Sequence, residues 1–480
     1  MAIVTHKFRV SAASGFAGTF STDNIYLVLG RPQSWDNTLS TNFTAQASGT
    51  VSDSNPPNPV DNWTNEYAVW RDAMAGVKLN YSDVKLCTLR NNWQYGTRYD
   101  MYRHNINSAD PSENSKYDLS DTNMIVYVTS TGNVYKCLFN NKSGTNTGTV
   151  STVMPSSTGV APFTTGDGYI WKYLYTITAA DADFVTENYI PVSTTTSVSS
   201  INGIDVIYMS SNGVGYTGTP GVVIYGDGSG AAAVATVAGT SVTKITVTTA
   251  GQGYTWAKIA LTGGGASNTA NAIAVIAPTG GHGSNLDYET MAHNVMIAGT
   301  VSGYLNNEFP VNQDFRTVAL IKNPLAYQSS VGYFVTSNVG TLYTTNTGRI
   351  LRTLTMTSGA TTAPANDLTI TGTGLGQGIF VFQSSGTVQL QYIQPVNSDI
   401  PANISDLRID TAGTKRLYEF TTADTISATG YSQFINSSTG LTGQVPEIHP
   451  YTGSMLYLDY RQPVTRASGQ NEKINIVINF

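Results

Sequence analysis

The turn Gly166-Asp167-Gly168 and the run Tyr169-Ile-Trp-Lys-Tyr-Leu-Tyr175 behind it restrict the fold more than any other stretch of the chain. Asp-Gly favours a hairpin, because glycine accepts the positive φ that a tight turn demands. Strict alternation follows. Tyr169, Trp171, Tyr173 and Tyr175 share one face, and Ile170, Lys172, Leu174 and Thr176 share the other. A face so rich in aromatic rings must be covered by another sheet, a helix or another chain. The stretch therefore predicts a core strand.

Composition points the same way. Gly 46 and Tyr 28, with plentiful Thr, Ser and Asn, suit many turns and polar, aromatic contact surfaces. The fold expected is mainly β, a multi-sheet β-sandwich-like core with few helices and inserted β modules. At 480 residues, with 12% charged residues and net charge -6, the chain has ample core material and no concentrated basic patch for nucleic acid. Cys87 and Cys137 lie far apart with no C-x-x-C partner, which predicts two buried free thiols formed in a reducing cytoplasm. Met1-Ala-Ile-Val-Thr-His-Lys7 carries no long apolar run, so neither a secretory signal nor membrane insertion is expected.

In chain order, Lys7–Ala12 and Asn24–Leu29 read as strands, the second ending at Gly30-Arg31-Pro32. The Pro-stiffened Asn55–Pro59 leads to one helix over residues 61–75, with Asp61 as cap, Gly76 as stop, and Trp63, Tyr67, Trp70 and Met74 at helical spacing. Arg90–Tyr95 with Gly96–Arg103 suggests a hairpin, and Met124–Thr129 with Asn133–Leu138 gives a clearer one through Ser130-Thr-Gly132. Asn140–Pro162 reads as a flexible or partner-ordered loop.

Beyond Ser193–Ser200 the chain repeats itself. Ile207–Thr217 aligns with Ile245–Thr255, and Ala231–Val237 aligns with Ala270–Ile276, predicting two stacked copies of one small β unit. Gly213-Val-Gly-Tyr-Thr-Gly218 matches a dinucleotide fingerprint, yet strand follows where that motif needs a helix. Turns are expected there and at Gly226–Gly230, whose single carboxylate is too little for calcium. Phe315–Ile321 is a strong strand, Gly348–Gly430 a second stretch of alternating strands, and Met455–Tyr460 and Ile474–Ile478 are strands joined by a Pro- and Arg-containing loop.

No catalytic constellation emerges. The histidines at 6, 104, 282, 293 and 449 are dispersed, and there is no G-x-S-x-G elbow, Walker loop or cysteine cluster. Asp181 and Asp183 read as cap or turn residues, and His104 as an interface or hydrogen-bonded residue. No enzyme activity, cofactor or metal is expected. Contact candidates are Trp35, Tyr95, Tyr99 and Tyr102, where aromatic and Arg side chains crowd near turns. In the repeat, Tyr216, Tyr254 and Trp256 are candidates for stacking on sugar rings.

Three blocks also carry a resemblance: Thr22-Asp-Asn-Ile-Tyr-Leu-Val-Leu-Gly-Arg-Pro-Gln-Ser-Trp-Asp36, Thr164-Thr-Gly-Asp-Gly-Tyr169 with its continuation to Val192, and Leu456-Tyr-Leu-Asp-Tyr-Arg-Gln-Pro-Val-Thr-Arg466. Together they resemble the baseplate wedge subunit known as gene product eight of T-even-like contractile-tailed bacteriophages. The likeness covers roughly residues 1–198 and, less evenly, 286–344 and 431–480. The chain departs from the pattern in its length, through two segments that look inserted. The organisation expected is an N-terminal part of the core over 1–200, an inserted Gly/Ala-rich repeat over 201–285, core again over 286–347, a second insertion over 348–430 and C-terminal strands over 431–480. The resemblance implies a virion structural protein, assembled in the host cytoplasm into the tail baseplate. There it would form a homodimer, bind other wedge proteins and take part in the plate's change of shape on infection. The alternative expectation, from the repeat's aromatics, is a tail protein that binds a host receptor or surface glycan.

Overall fold

Antiparallel sheets dominate the computed structural model, which is mainly β and sandwich-like. It describes the chain apart from residues 1–3, 36–50, 105–121, 145–146, 196, 200, 303–308, 328–339, 358–368, 372–376, 384–388, 394–424, 429–430, 435–445 and 468. Two units are distinguished: Met1–Ala17 with Val84–Ile297 and Asn475–Phe480, and Gly18–Asp83 with Ala298–Ile474. Strands are numbered along the whole chain.

In the unit that contains Gly18–Asp83, β1 (Ile25–Gly30), β2 (Ala73–Leu79), β16 (Gln313–Lys322), β17 (Thr347–Arg349) and β24 (Ser454–Arg466) form a sheet in the order β17-β2-β1-β16-β24. Every residue of β1 is buried, which explains a continuous apolar run where a half-exposed strand would alternate. The expected helix is α2 (Trp63–Asp72), shorter than predicted. Asn62, and not Asp61, caps it by accepting the Asn65 N–H at 2.9 Å. The chain then turns directly into β2, so Met74 and Gly76 are strand residues. Gly76 faces β1, where an added Cβ would lie 3.2 Å from Val28 Cγ2, so close strand packing replaces the predicted helix stop. Only part of the aromatic stripe faces the core: Trp70 is buried, whereas Trp63 is 87% exposed.

The predicted loop in the C-terminal block is also strand. Arg461, Pro463 and Arg466 belong to β24, an edge strand whose register slips opposite Phe315–Thr317, and an edge bulge is where a sheet tolerates proline. A second sheet of this unit runs β18-β21-β20-β19-β22-β23. Its strands are β18 (Arg352–Thr355), β19 (Thr369–Thr371), β20 (Gln377–Phe382), β21 (Gln389–Ile393), β22 (Thr425–Ala428) and β23 (Tyr431–Phe434).

In the unit that contains Val84–Ile297, Lys7–Ala12 lies inside α1 (His6–Thr22), not in a strand. Val10, Ala13, Ala17 and Phe20 are its buried positions, and that spacing is helical. β4 (Ile125–Val128), β5 (Asn133–Phe139), β6 (Phe163–Thr164) and β7 (Ile170–Thr176) make a sheet in the order β4-β5-β7-β6. Gly168 takes φ 86° in the β6–β7 turn, and Gly132 takes φ 73° between β4 and β5, as the turn chemistry requires. Trp171, Lys172, Leu174 and Tyr175 are all buried in β7, but the strict alternation expected does not hold: the register shifts opposite Val134 and Tyr135, so Tyr175 pairs with Val134 while Trp171 pairs with Cys137. The Arg90–Arg103 hairpin does not form. Asn92 instead makes a parallel bridge with Tyr127, and Thr97 bridges Ser151. Within the stretch after β5, Ser151–Val153 is held in place. Asp167 accepts the Thr152 and Val153 N–H groups at 2.8 and 3.0 Å and the Ser151 hydroxyl at 3.0 Å.

β3 (Val84–Leu89), β8 (Tyr189–Pro191), β15 (Asn294–Ser302) and β25 (Asn471–Asn479) form a further sheet in the order β25-β15-β3-β8. The last residue is tied down, since the Phe480 N–H donates to His293 O at 3.1 Å. α3 (Leu286–Glu289) precedes β15.

The repeat folds as two interlocked copies, β9 (Ile204–Ser211), β10 (Gly221–Gly226) and β11 (Ser229–Ala238), then β12 (Ser241–Gln252), β13 (Ala257–Thr262) and β14 (Asn271–Ile276). The strands exchange. β11 of the first copy pairs with β12 of the second, β14 of the second pairs with β9 of the first, and β10 pairs with β13. At the centre Ile207 pairs with Ile245, its counterpart in the other copy, so an approximate twofold axis passes between them. The module's ends meet where the Ser199 N–H donates to His282 O at 3.0 Å.

Candidate functional site

The exchange explains the Gly-x-Gly-Tyr motif of each copy. Gly213 and Gly251 hold φ 63° and 66°, and a Cβ on either would lie 2.5 Å from a backbone nitrogen of the other copy, Ala270 or Ala231. The Tyr216 hydroxyl accepts the Ala270 N–H at 2.9 Å, and the Tyr254 hydroxyl accepts the Ala231 N–H at 3.4 Å. Both tyrosines are buried and lock the copies together, so neither presents a ring to a sugar. Trp256 differs. It stands where the first copy has Gly218, it is 55% exposed, and Tyr225, equally exposed, lies on the neighbouring ribbon of β10 and β13.

The other contact candidates divide in the same manner. Trp35 is fully buried: its Nε1–H donates to Arg461 O at 2.8 Å, and the Arg31 guanidinium lies 4.2 Å from the ring. Tyr99 is buried edge-on against Trp171, with its hydroxyl accepting the Gln94 N–H at 2.6 Å. Tyr102 is half-buried against Lys136. These rings serve the chain's own packing because turns bring them inward, which sequence proximity to arginine could not reveal. Tyr95 is 74% exposed, and Trp63 is exposed as well.

What the sequence reading missed is a buried ionic cluster at the base of the repeat. Lys136 and Lys172 face each other across β5 and β7, both fully buried. Like charges in that position repel unless they are compensated. Lys136 Nζ donates to Glu289 Oε2 at 2.9 Å, lies 3.9 Å from the Tyr102 ring centre and approaches His282 Nδ1 at 3.4 Å. Glu289 also accepts the Gly283 N–H. On the other side of the imidazole, Nε2 is 3.6 Å from Asp205 Oδ2. Lys172 donates to Tyr173 O at 2.8 Å and to Ser197 Oγ at 3.1 Å.

Burial works against every charge in the cluster. It pushes the Glu289 carboxyl up, but Lys136 and His282 outweigh it and bring the group down to about 2. Burial and the charge of Lys136 depress His282 to about 4, so the ring is neutral at pH 7. Burial lowers Lys172 to about 8 despite Glu289 and Asp205. The only signal available from sequence was a lysine in each of two strands otherwise rich in apolar and aromatic residues.

A second ionic knot lies in the other unit. Asp72 accepts from Arg71 Nε at 2.7 Å and from Arg31 Nη1 at 2.9 Å. Arg316 holds both oxygens of Asp53, at 2.8 and 2.7 Å, and Asp53 in turn accepts the Trp35 N–H at 2.9 Å. Burial raises the Asp72 carboxyl, yet Arg71 and Arg31 prevail and hold it below the usual range. This pins the Arg31–Trp35 turn to the segment carrying Asp53.

Asp181 accepts the Thr178 hydroxyl at 2.8 Å and pairs with Lys85 at 3.1 Å, in keeping with a turn role. Cys87 and Cys137 are buried thiols. Among the described residues no group of three or more His, Cys, Asp or Glu side chains is arranged to hold a metal ion, and no helix is long and apolar enough to cross a membrane. No known family matches the chain, and no curated protein matches it.

Proposed function

We propose that this protein is a structural component of a contractile-tail baseplate wedge, working by protein–protein binding in assembly and in the plate's change of shape on infection. The observation that carries this reading is the ordered set of three sequence blocks. They fall on β1 with the Arg31–Trp35 turn, on the β6–β8 region, and on β24. Interlocked strands and buried ionic knots supply the rigidity a load-bearing part needs, and exposed rings at Tyr95 and Trp63 supply anchors of the kind found at interface centres. The partners proposed are a second copy of the chain and neighbouring wedge proteins, in the virion tail, without enzymatic turnover. Fractionating purified tails and identifying their subunits by mass tests the reading. The chain should co-purify with the baseplate, and its absence would remove the proposal.

A second reading, glycan binding by the repeat, draws support from one observation: the fold accepts glycine at position 218, so the exposed Trp256 at the matching place is not required by the turn. Flat exposed aromatic faces suit sugar rings. Glycan-array binding by the parent that is lost in Trp256→Ala would favour this reading over a purely structural module.

A further inference from the structure

Two histidines sit where the repeat meets the rest of its unit, and each has a ring nitrogen facing a donor. His104 Nδ1 accepts the Ile276 N–H from β14 at 3.2 Å. His282 Nδ1 faces the Lys136 ammonium at 3.4 Å and Glu289 Oε2 at 3.6 Å, and burial with the lysine's charge outweighs the carboxylate's pull on a ring proton. A neutral imidazole can offer a lone pair to such donors; an imidazolium carries N–H on both nitrogens and cannot. Around His282 stand Lys136 from β5, Lys172 from β7, Asp205 from β9, Glu289 from α3 and Tyr102 from the preceding loop. Around His104 stand Arg103 and the β14 backbone. Asp205 and His282 belong to the repeat, whereas Lys136, Lys172 and Glu289 belong to the sheet and helix beneath it. The cluster thus fastens one to the other.

We propose that His282 and His104 form an acid-sensitive latch: their protonation sets cations against fixed donors and buried lysines and loosens the repeat module from the β4–β7 sheet. The apolar contacts of Val206, Tyr208 and Val275 with that sheet's core oppose release, so the response is a loosening and not unfolding. Its size follows from His282, whose group sits at about 4 when docked against an ordinary 6.5. Protonation-linked release is then favoured about twentyfold more near pH 5 than near pH 7. His104 is exposed; partial desolvation of its ring and the charge of Arg103 shift it in the same direction.

The test is amide hydrogen exchange on the full chain at the two pH values, corrected for the intrinsic rate, in the parent and in His282→Asn, His104→Asn and the double variant. Asparagine keeps an acceptor but does not titrate. Protection of β9 and β14 should fall about tenfold or more on acidification in the parent and change little in the double variant. Equal protection at both pH values in the parent, or an undiminished response in the double variant, overturns the proposal. Should His282→Asn fail to fold, a histidine-labelled carbon spectrum of the parent decides. A docked His282 midpoint below 5, with protection of β9 and β14 already falling between pH 7 and pH 5, supports the latch, and a midpoint near 6.5 with β9–β14 still protected refutes it.

Discussion

Replacing Lys136 by methionine removes the cation that compensates Glu289 while keeping the length of the side chain. The pair is almost completely buried, with side-chain exposures of 2% and 5%. Breaking such a pair on one side leaves an uncompensated carboxylate and costs about 3–5 kcal/mol. The Gly283 N–H remains as a donor, so the lower half of that range is expected. In guanidinium this corresponds to a fall of roughly 1 M in the midpoint at which β5 and β7 lose exchange protection. pH sharpens the prediction. Glu289, held at about 2 against an ordinary 4.5, contributes stability that is present above 4.5 and lost as pH falls through 2. Without Lys136 burial dominates and raises the carboxyl, so the variant's deficit should be greatest at neutral pH and shrink as the acid protonates. Lys136→Met combined with Glu289→Gln should recover most of the loss, because glutamine still accepts from Gly283. An unchanged midpoint in Lys136→Met, or a double variant no better than the single, would refute this account of the cluster.

Further perturbations probe the other elements. Gly213→Ala and Gly251→Ala should each destabilise the repeat by more than the 1–2 kcal/mol typical of a left-handed alanine, since the new Cβ also meets backbone; exchange protection of β11 and β14 reads the effect, and tolerance of either would contradict the interlock. Tyr216→Phe should cost about 1 kcal/mol and Tyr254→Phe less, because the second hydrogen bond is the longer, as urea denaturation followed in the same strands would register. Trp70→Ala should lower stability by about 3–5 kcal/mol in thermal melts, while Trp63→Ala should leave the melt within about 0.5 kcal/mol of the parent.

Local turn chemistry was the most legible part of the chain. Asp167-Gly168 and Ser130-Thr-Gly132 announce their hairpins because the φ values they need are glycine's own, and the repeat is visible because each copy needs the same glycines and tyrosine. Elements decided by distant partners were not legible. Lys7–Ala12 alternates well enough to read as strand, and only the burial of Val10, Ala13 and Ala17 reveals a helix. Met74 continues the helical spacing of α2 and Gly76 reads as its stop, but both belong to β2, which pairs with β1. The buried lysines carry no local mark of their partner, since Glu289 lies 153 residues from Lys136. Neighbours in sequence do not decide which aromatic rings are exposed: for Trp35, Tyr99, Tyr216 and Tyr254 the decisive neighbours are remote. Tyr95 and Trp256 reach solvent because each lies at a turn outside the packed strands.

The proposal of a load-bearing wedge subunit is tested most directly by electron cryomicroscopy of intact tails. Density matching the interlocked repeat and the β1–β16 sheet should be found in the baseplate, in symmetry-related pairs that touch neighbouring wedge proteins. Tails complete in every other subunit but lacking that density, or density confined to host-contacting fibre tips, would contradict it.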